Sequence, residues 1–250
     1  MTELQDKNTI ILIPGHWLGA WAWDEVVTRL NALGHRTVAL TLPGLNPADD
    51  RTSITPAHQA EAVISEMSKA HAATGLPVVL VGHSGANAPI SIALDRHPEL
   101  VQRVIWIDSG PVSDGTVFDD GADGVSELPL PDFEVLGQQA SLEGLDTDTL
   151  DRFRRRAVPE PGPVLTTPVH VTNEARRNVP TTLVCCSLPS DQLMAMAHAG
   201  HPMFAEVTAL QDLTLVDLPT GHWPMWSRPD DLVTIMSNAV TASTSGSEAN

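Results

Sequence analysis

Ser84 stands in Gly82-His83-Ser84-Gly85-Ala86, directly behind the apolar run Val78 to Val81. The run reads as a buried strand and Asn87 to Arg96 as a helix, which puts the serine on a sharp strand-to-helix turn. Such a turn strains the serine backbone and leaves room only for small residues two places before and after it, here Gly82 and Ala86. It also pushes the hydroxyl out at the carboxyl edge of a sheet, where it can serve as a nucleophile once a base takes its proton. The candidate base is His222, in Thr220-Gly221-His222-Trp223-Pro224, which follows the last apolar run, Leu213 to Leu218, and so reaches the same edge.

The base needs a carboxylate to orient it and to stabilise its charged form. Two are placed for this. Asp191 follows the run Thr182 to Cys186 by a short loop, and Asp108 closes the run Val104 to Ile107. Chain order, serine then acid then histidine, is met by either. Asp191 is preferred because it follows the usual strand, and Asp108, in Asp-Ser-Gly-Pro, is read as a turn aspartate and kept as the alternative acid. The oxyanion formed on attack requires backbone donors. The amide of Gly85 supplies one, and the loop Pro14-Gly15-His16-Trp17 the other, from His16 first and Trp17 next. Trp17 and Trp223, with Trp226, are candidates to line an apolar substrate entrance.

These groups must be carried by a sheet. Apolar β-rich runs recur at Thr9 to Ile13, Thr37 to Leu42, Val78 to Val81, Val104 to Ile107, Thr182 to Cys186 and Leu213 to Leu218. Helical periodicity marks Trp21 to Leu33, stopped at Gly34, and Ala57 to Ala73. The alternation predicts an α/β fold with a mostly parallel sheet of about six strands, covered by helices on both faces. It breaks between Gly110 and Pro180, where prolines, glycines, an acidic patch at Asp119 to Asp123 and one helical stretch, Thr147 to Ala157, suggest a cap inserted over the ligand-binding edge. The expected division is a core of residues 1–110 and 180–240, a cap of 111–179, and a frayed tail over 241–250.

With 250 residues the chain suits one large domain. Its 31 acidic against 14 basic residues, a formal charge of −17, argue against nucleic-acid or anionic-membrane partners. The start, Met1 to Asn8, is polar, and no apolar run approaches a membrane span, so a cytoplasmic location is expected. Cys185 and Cys186 are adjacent in a predicted strand and point to opposite faces, which excludes a disulfide framework. His198 and His201 lack the carboxylate companions of a metal site, so no metal is expected.

Taken together, Pro14 to Trp23, Gly82-His83-Ser84-Gly85-Ala86 and Gly221 to Pro229 resemble the α/β-hydrolase superfamily, and within it the branch of plant methyl esterases and hydroxynitrile lyases. The resemblance covers residues 9 to about 110 and 180 to 240. It implies an α/β-hydrolase fold and a cofactor-independent serine hydrolase that cleaves a small carboxylic ester or lactone. Ser84, His222 and Asp191 would form the triad, with Gly85 and His16 at the oxyanion. Serine at the turn, where epoxide hydrolases and haloalkane dehalogenases carry aspartate, argues against those chemistries. Trp223 stands where lyases of this branch carry lysine, which argues against lyase activity. Cofactor-free dioxygenation, perhydrolysis, carbon–carbon bond hydrolysis and a receptor that keeps the triad remain alternatives on the same scaffold.

Overall fold

The structure, a computed structural model, describes residues 8–119 and 124–242. Residues 120–123 of the acidic patch, the polar start up to residue 7 and the tail from 243 onward lie outside the described residues. In chain order the first half runs β1 (Thr9–Ile13), α1 (Asp24–Ala32), β2 (Arg36–Ala39), α2 (Pro56–Thr74), β3 (Val78–His83), α3 (Asn87–Arg96) and β4 (Val101–Ile107). A long excursion follows, with β5 (Glu127–Leu128), α4 (Phe133–Gln139), α5 (Thr147–Arg156), β6 (Glu160–Pro161) and α6 (Gly162–Thr166). The chain then returns through β7 (Thr181–Cys185), α7 (Ser190–His198), β8 (Leu213–Asp217), α8 (Pro224–Ser227) and α9 (Pro229–Ala242).

Six strands form one all-parallel sheet in the order β2-β1-β3-β4-β7-β8. The β1 and β3 residues are apolar on consecutive positions because both faces of a parallel sheet are covered. Ile10, Leu12, Val79 and Val81 face α1 and α9 through Val26, Leu30, Leu232 and Met236. Their neighbours Ile11, Ile13 and Leu80 face α2, α3 and α7 through Val63, Met67, Ile90 and Leu193.

The expected elements shift in detail. Trp21 to Trp23 belong to a 3-10 turn, and α1 begins only at Asp24. The run after Ala39 leaves the sheet, with one last bond from Leu40 N to Leu12 O. Helix α9 reaches Ala242, so Thr241 is helical where a frayed tail was expected. Helix α5 matches the one helix expected in the excursion, and the Asp146 side chain caps it by accepting from the Thr149 amide.

The excursion is packed, not loose. Phe153 on α5 is fully buried, with its ring 5.4 Å from Trp223 and 5.1 Å from Trp226, and Leu130 and Leu136 join the same apolar cluster as Trp23. Among the described residues, no helix is long and apolar enough to cross a membrane.

Candidate active site

Strand β3 runs without a break into Ser84, whose φ of 50° lies in the left-handed region that a side chain occupies only under strain. A 3-10 turn over Ser84–Ala86 then feeds α3. The small flanking residues are required by packing: a Cβ on Gly82 would meet Ile90 Cδ1 at 2.4 Å, and Ala86 is fully buried. Ser109 Oγ donates to the Ser84 carbonyl at 2.8 Å, which ties the turn to the end of β4.

His222 Nε2 stands 2.8 Å from Ser84 Oγ, so the serine and histidine picked out in the sequence do meet. The carboxylate on the far side of the ring is Asp108, with Oδ2 at 2.6 Å from His222 Nδ1. Asp191 does not take this place. It is exposed in the first turn of α7, and its carboxylate accepts from the next amide, Gln192 N, at 2.7 Å.

The reason lies in the pairing of β4 with β7, which brings the chain after each strand side by side. Asp108, at φ 43°, bends back toward the histidine. The segment after β7 supplies donors instead of an acid: the amides of Cys186 and Ser187 both reach Asp108 Oδ1 at 3.0 Å, and Ser187 Oγ reaches Oδ2 at 2.5 Å. Burial pushes the Asp108 carboxyl up, but the hydrogen bond and charge of His222 and the donors of Ser187 outweigh it and hold the group at about 2.

The backbone of His222 is gripped from two sides. Its amide donates to Ser141 O at 2.7 Å, from the excursion, and its carbonyl accepts from His83 Nε2 at 2.7 Å. His83 is buried, and burial first, then the nearby His222, holds its imidazole near 3, so the ring is neutral. Its Nδ1 is buried without a hydrogen-bond partner. A neutral ring with its proton on Nε2 fits both facts.

The loop after β1 sits on the other side of Ser84. The Trp17 amide is engaged by Glu160 Oε2 at 3.1 Å, the Trp17 carbonyl accepts from Val158 N at 3.0 Å, and its indole Nε1 donates to Leu128 O at 3.0 Å. These contacts from the excursion hold Trp17 at φ 64°. Among the described residues with φ above zero, Trp17, Ser84 and Asp108 are the ones that are not glycine, and all three meet here. The amide of His16 has no acceptor among the described residues, so of the two donors considered in this loop it is the one left open.

A cavity of about 780 Å³ opens over Ser84. Trp17 and Trp223 stand on its wall with Phe118, Leu136, Leu142 and Phe204. Trp226 does not: it stacks on Trp21, and its Nε1 donates to Ala22 O. Glu160, Ser141, Ser187 and His83 were not singled out from sequence. No group of three metal-ligating side chains occurs among the described residues.

A sequence model of the alpha/beta hydrolase family matches residues 10–235. Methylesterase 2 of Arabidopsis thaliana is 32% identical over 113 residues, 43% of this chain and 41% of that protein. Esterase PIR7B of Oryza sativa subsp. japonica is 34% identical over 103 residues, 40% of this chain and 38% of that protein. The match thus spans about two fifths of the length of these curated relatives. The alpha/beta hydrolase nvfD of Aspergillus novofumigatus (strain IBT 16806) is 27% identical over 257 residues, covering 93% of this chain and 96% of that protein. Among solved structures, the methylesterase MES16 from Arabidopsis shares the fold with a TM-score of 0.71 at 17% identity, over 94% of this chain and 99% of that one. The chain belongs to the alpha/beta hydrolase family.

Proposed function

We propose that the protein is a serine hydrolase that cleaves a small carboxylic ester or lactone through an acyl-enzyme. The observation that carries this reading is the continuous hydrogen-bonded line Ser84 Oγ, His222 Nε2, His222 Nδ1 and Asp108 Oδ2, opening on a cavity. Ser84 Oγ attacks the carbonyl carbon while its proton passes to His222 Nε2, and Asp108 stabilises the imidazolium. The amides of Gly85 and His16 hold the oxyanion. As the tetrahedral species collapses, His222 gives the proton to the leaving alcohol oxygen, or to the ring oxygen of a lactone. Water, deprotonated by His222, then attacks the acyl carbon, releases the acid and returns Ser84. The excursion over residues 111–179 acts as a cap that shapes the acyl pocket.

The methylesterase names of the relatives make methyl esters the first substrates to try. The test compares wild type with Ser84→Ala on methyl phenylacetate by acid release, alongside labelling with a fluorophosphonate. Turnover and label in the wild type, both lost in the variant, are expected. Full activity in Ser84→Ala would refute the reading.

A further inference from the structure

His16 carries more than a backbone amide. Its ring Nδ1 lies 3.2 Å from Glu160 Oε2, and Glu160, contributed by the excursion, is one of the most buried carboxylates in the protein, at 1% exposure. The same oxygen accepts from the Trp17 amide. With Nδ1 turned toward Glu160, Nε2 is the ring's remaining polar atom. That nitrogen has no partner among the described residues, and His16 lines the cavity with 16% of its side chain exposed.

The ring edge also lies over Gly85. A Cβ on Gly85 would stand 2.4 Å from His16 Nε2, so glycine at this position is what lets the ring approach the turn. Phe118 closes the other side, edge to face at 5.5 Å between centroids. The site therefore holds a second histidine–carboxylate pair, fixed in place beside the reacting carbonyl and used by no step of the hydrolysis.

We infer that His16, held by Glu160, selects the acyl part of the substrate through a hydrogen bond between Nε2 and a hydroxyl on the carbon next to the scissile carbonyl. The inference rests on the serine-hydrolase reading and adds the substrate class: esters of 2-hydroxy acids. The position follows from distance. The oxyanion lies against the Gly85 amide, and the imidazole packs on the same residue, so a group that meets Nε2 is attached close to the carbonyl carbon. A site built to bond a hydroxyl discriminates against the analogue that lacks it, because its own polar group is otherwise left unpaired.

The test uses methyl mandelate and methyl phenylacetate, which differ by that hydroxyl, with rates divided by those of alkaline hydrolysis to remove intrinsic reactivity. In the wild type the normalised kcat/KM should favour mandelate by about tenfold or more. His16→Leu should bring the ratio to about one, and His16→Gln, which keeps a hydrogen-bonding group, should recover part of it. Fluorophosphonate labelling of Ser84 reports whether each variant is folded. If His16→Leu takes no label, Glu160→Gln decides, and it should lower the ratio severalfold.

A wild type that hydrolyses both esters at equal normalised rates overturns the inference while the hydrolase reading stands, as does a preference that survives in a labelled His16→Leu or, where that variant takes no label, in Glu160→Gln. A wild type that takes no label and hydrolyses neither ester overturns both.

Discussion

Replacing Asp108 by asparagine gives the sharpest test of the acid. The carboxylate now receives four donors: two amides on Oδ1, and Ser187 Oγ with His222 Nδ1 on Oδ2. An asparagine keeps its oxygen where the two amides converge, which turns its NH2 toward His222. The imidazole must then offer Nδ1 as an acceptor and carry its proton on Nε2, facing Ser84, so it can no longer take the serine proton. In a triad of this kind the wrong tautomer costs about 10⁴ in kcat, or about 5 kcal/mol of transition-state stabilisation. Folding stability should fall as well. A carboxyl held at about 2 in place of 3.8 corresponds to about 2 kcal/mol.

The assay is kcat on methyl phenylacetate for wild type, Asp108→Asn and Asp191→Asn, with urea unfolding in parallel. Asp191, exposed and bonded to its own neighbour's amide, should leave kcat within about twofold. Retention of a tenth or more of wild-type activity by Asp108→Asn, or a loss of several decades in Asp191→Asn, would refute the assignment.

His83 predicts an acid-sensitive fold. Its imidazole is held near 3 in the folded state against an ordinary 6.5, so the unfolded chain binds a proton that the folded one refuses as pH falls between those values. Stability should drop through that window by up to about 5 kcal/mol. His83→Gln, which keeps a donor for the His222 carbonyl, should lose markedly less between pH 7 and pH 4 in urea titrations, and equal losses would count against the argument. Asp108 works in the same direction lower down, its contribution present above 3.8 and lost as pH falls toward 2. Burial raises the Cys185 thiol to about 12 and pushes Cys186 up as well. Both should resist a thiol-disulfide reagent at pH 8 in the folded protein and react within minutes in urea, and fast reaction without urea would contradict this.

The parts of the site that could be read from sequence are those set by short stretches of chain. A strand that ends in Gly-His-Ser-Gly-Ala defines its own turn, and His222 follows the last strand closely enough to be placed at the same edge. The acid depended on something no local pattern carries. Asp108 and Asp191 both follow strands of the same sheet, and choosing between them requires the adjacency of β4 and β7 and the positive φ of Asp108. Glu160, Val158 and Ser141 lie in a proline-rich stretch without periodicity, and their contacts span more than 80 residues of chain to His222 or Trp17. His83 shows the same limit. Its position in the turn is plain from sequence, but its bond to the His222 carbonyl is a product of tertiary packing.

The excursion holds both loops that flank Ser84, through Ser141 on the His222 amide and through Val158 and Glu160 on Trp17. Its short strands and helices share little of the hydrogen-bonded ladder that stabilises the parallel sheet. Local opening of such a unit takes less free energy than global unfolding. Heat should therefore silence the protein before it melts it: turnover should fade while the sheet is still intact, and return on cooling for as long as the opened segment has not aggregated.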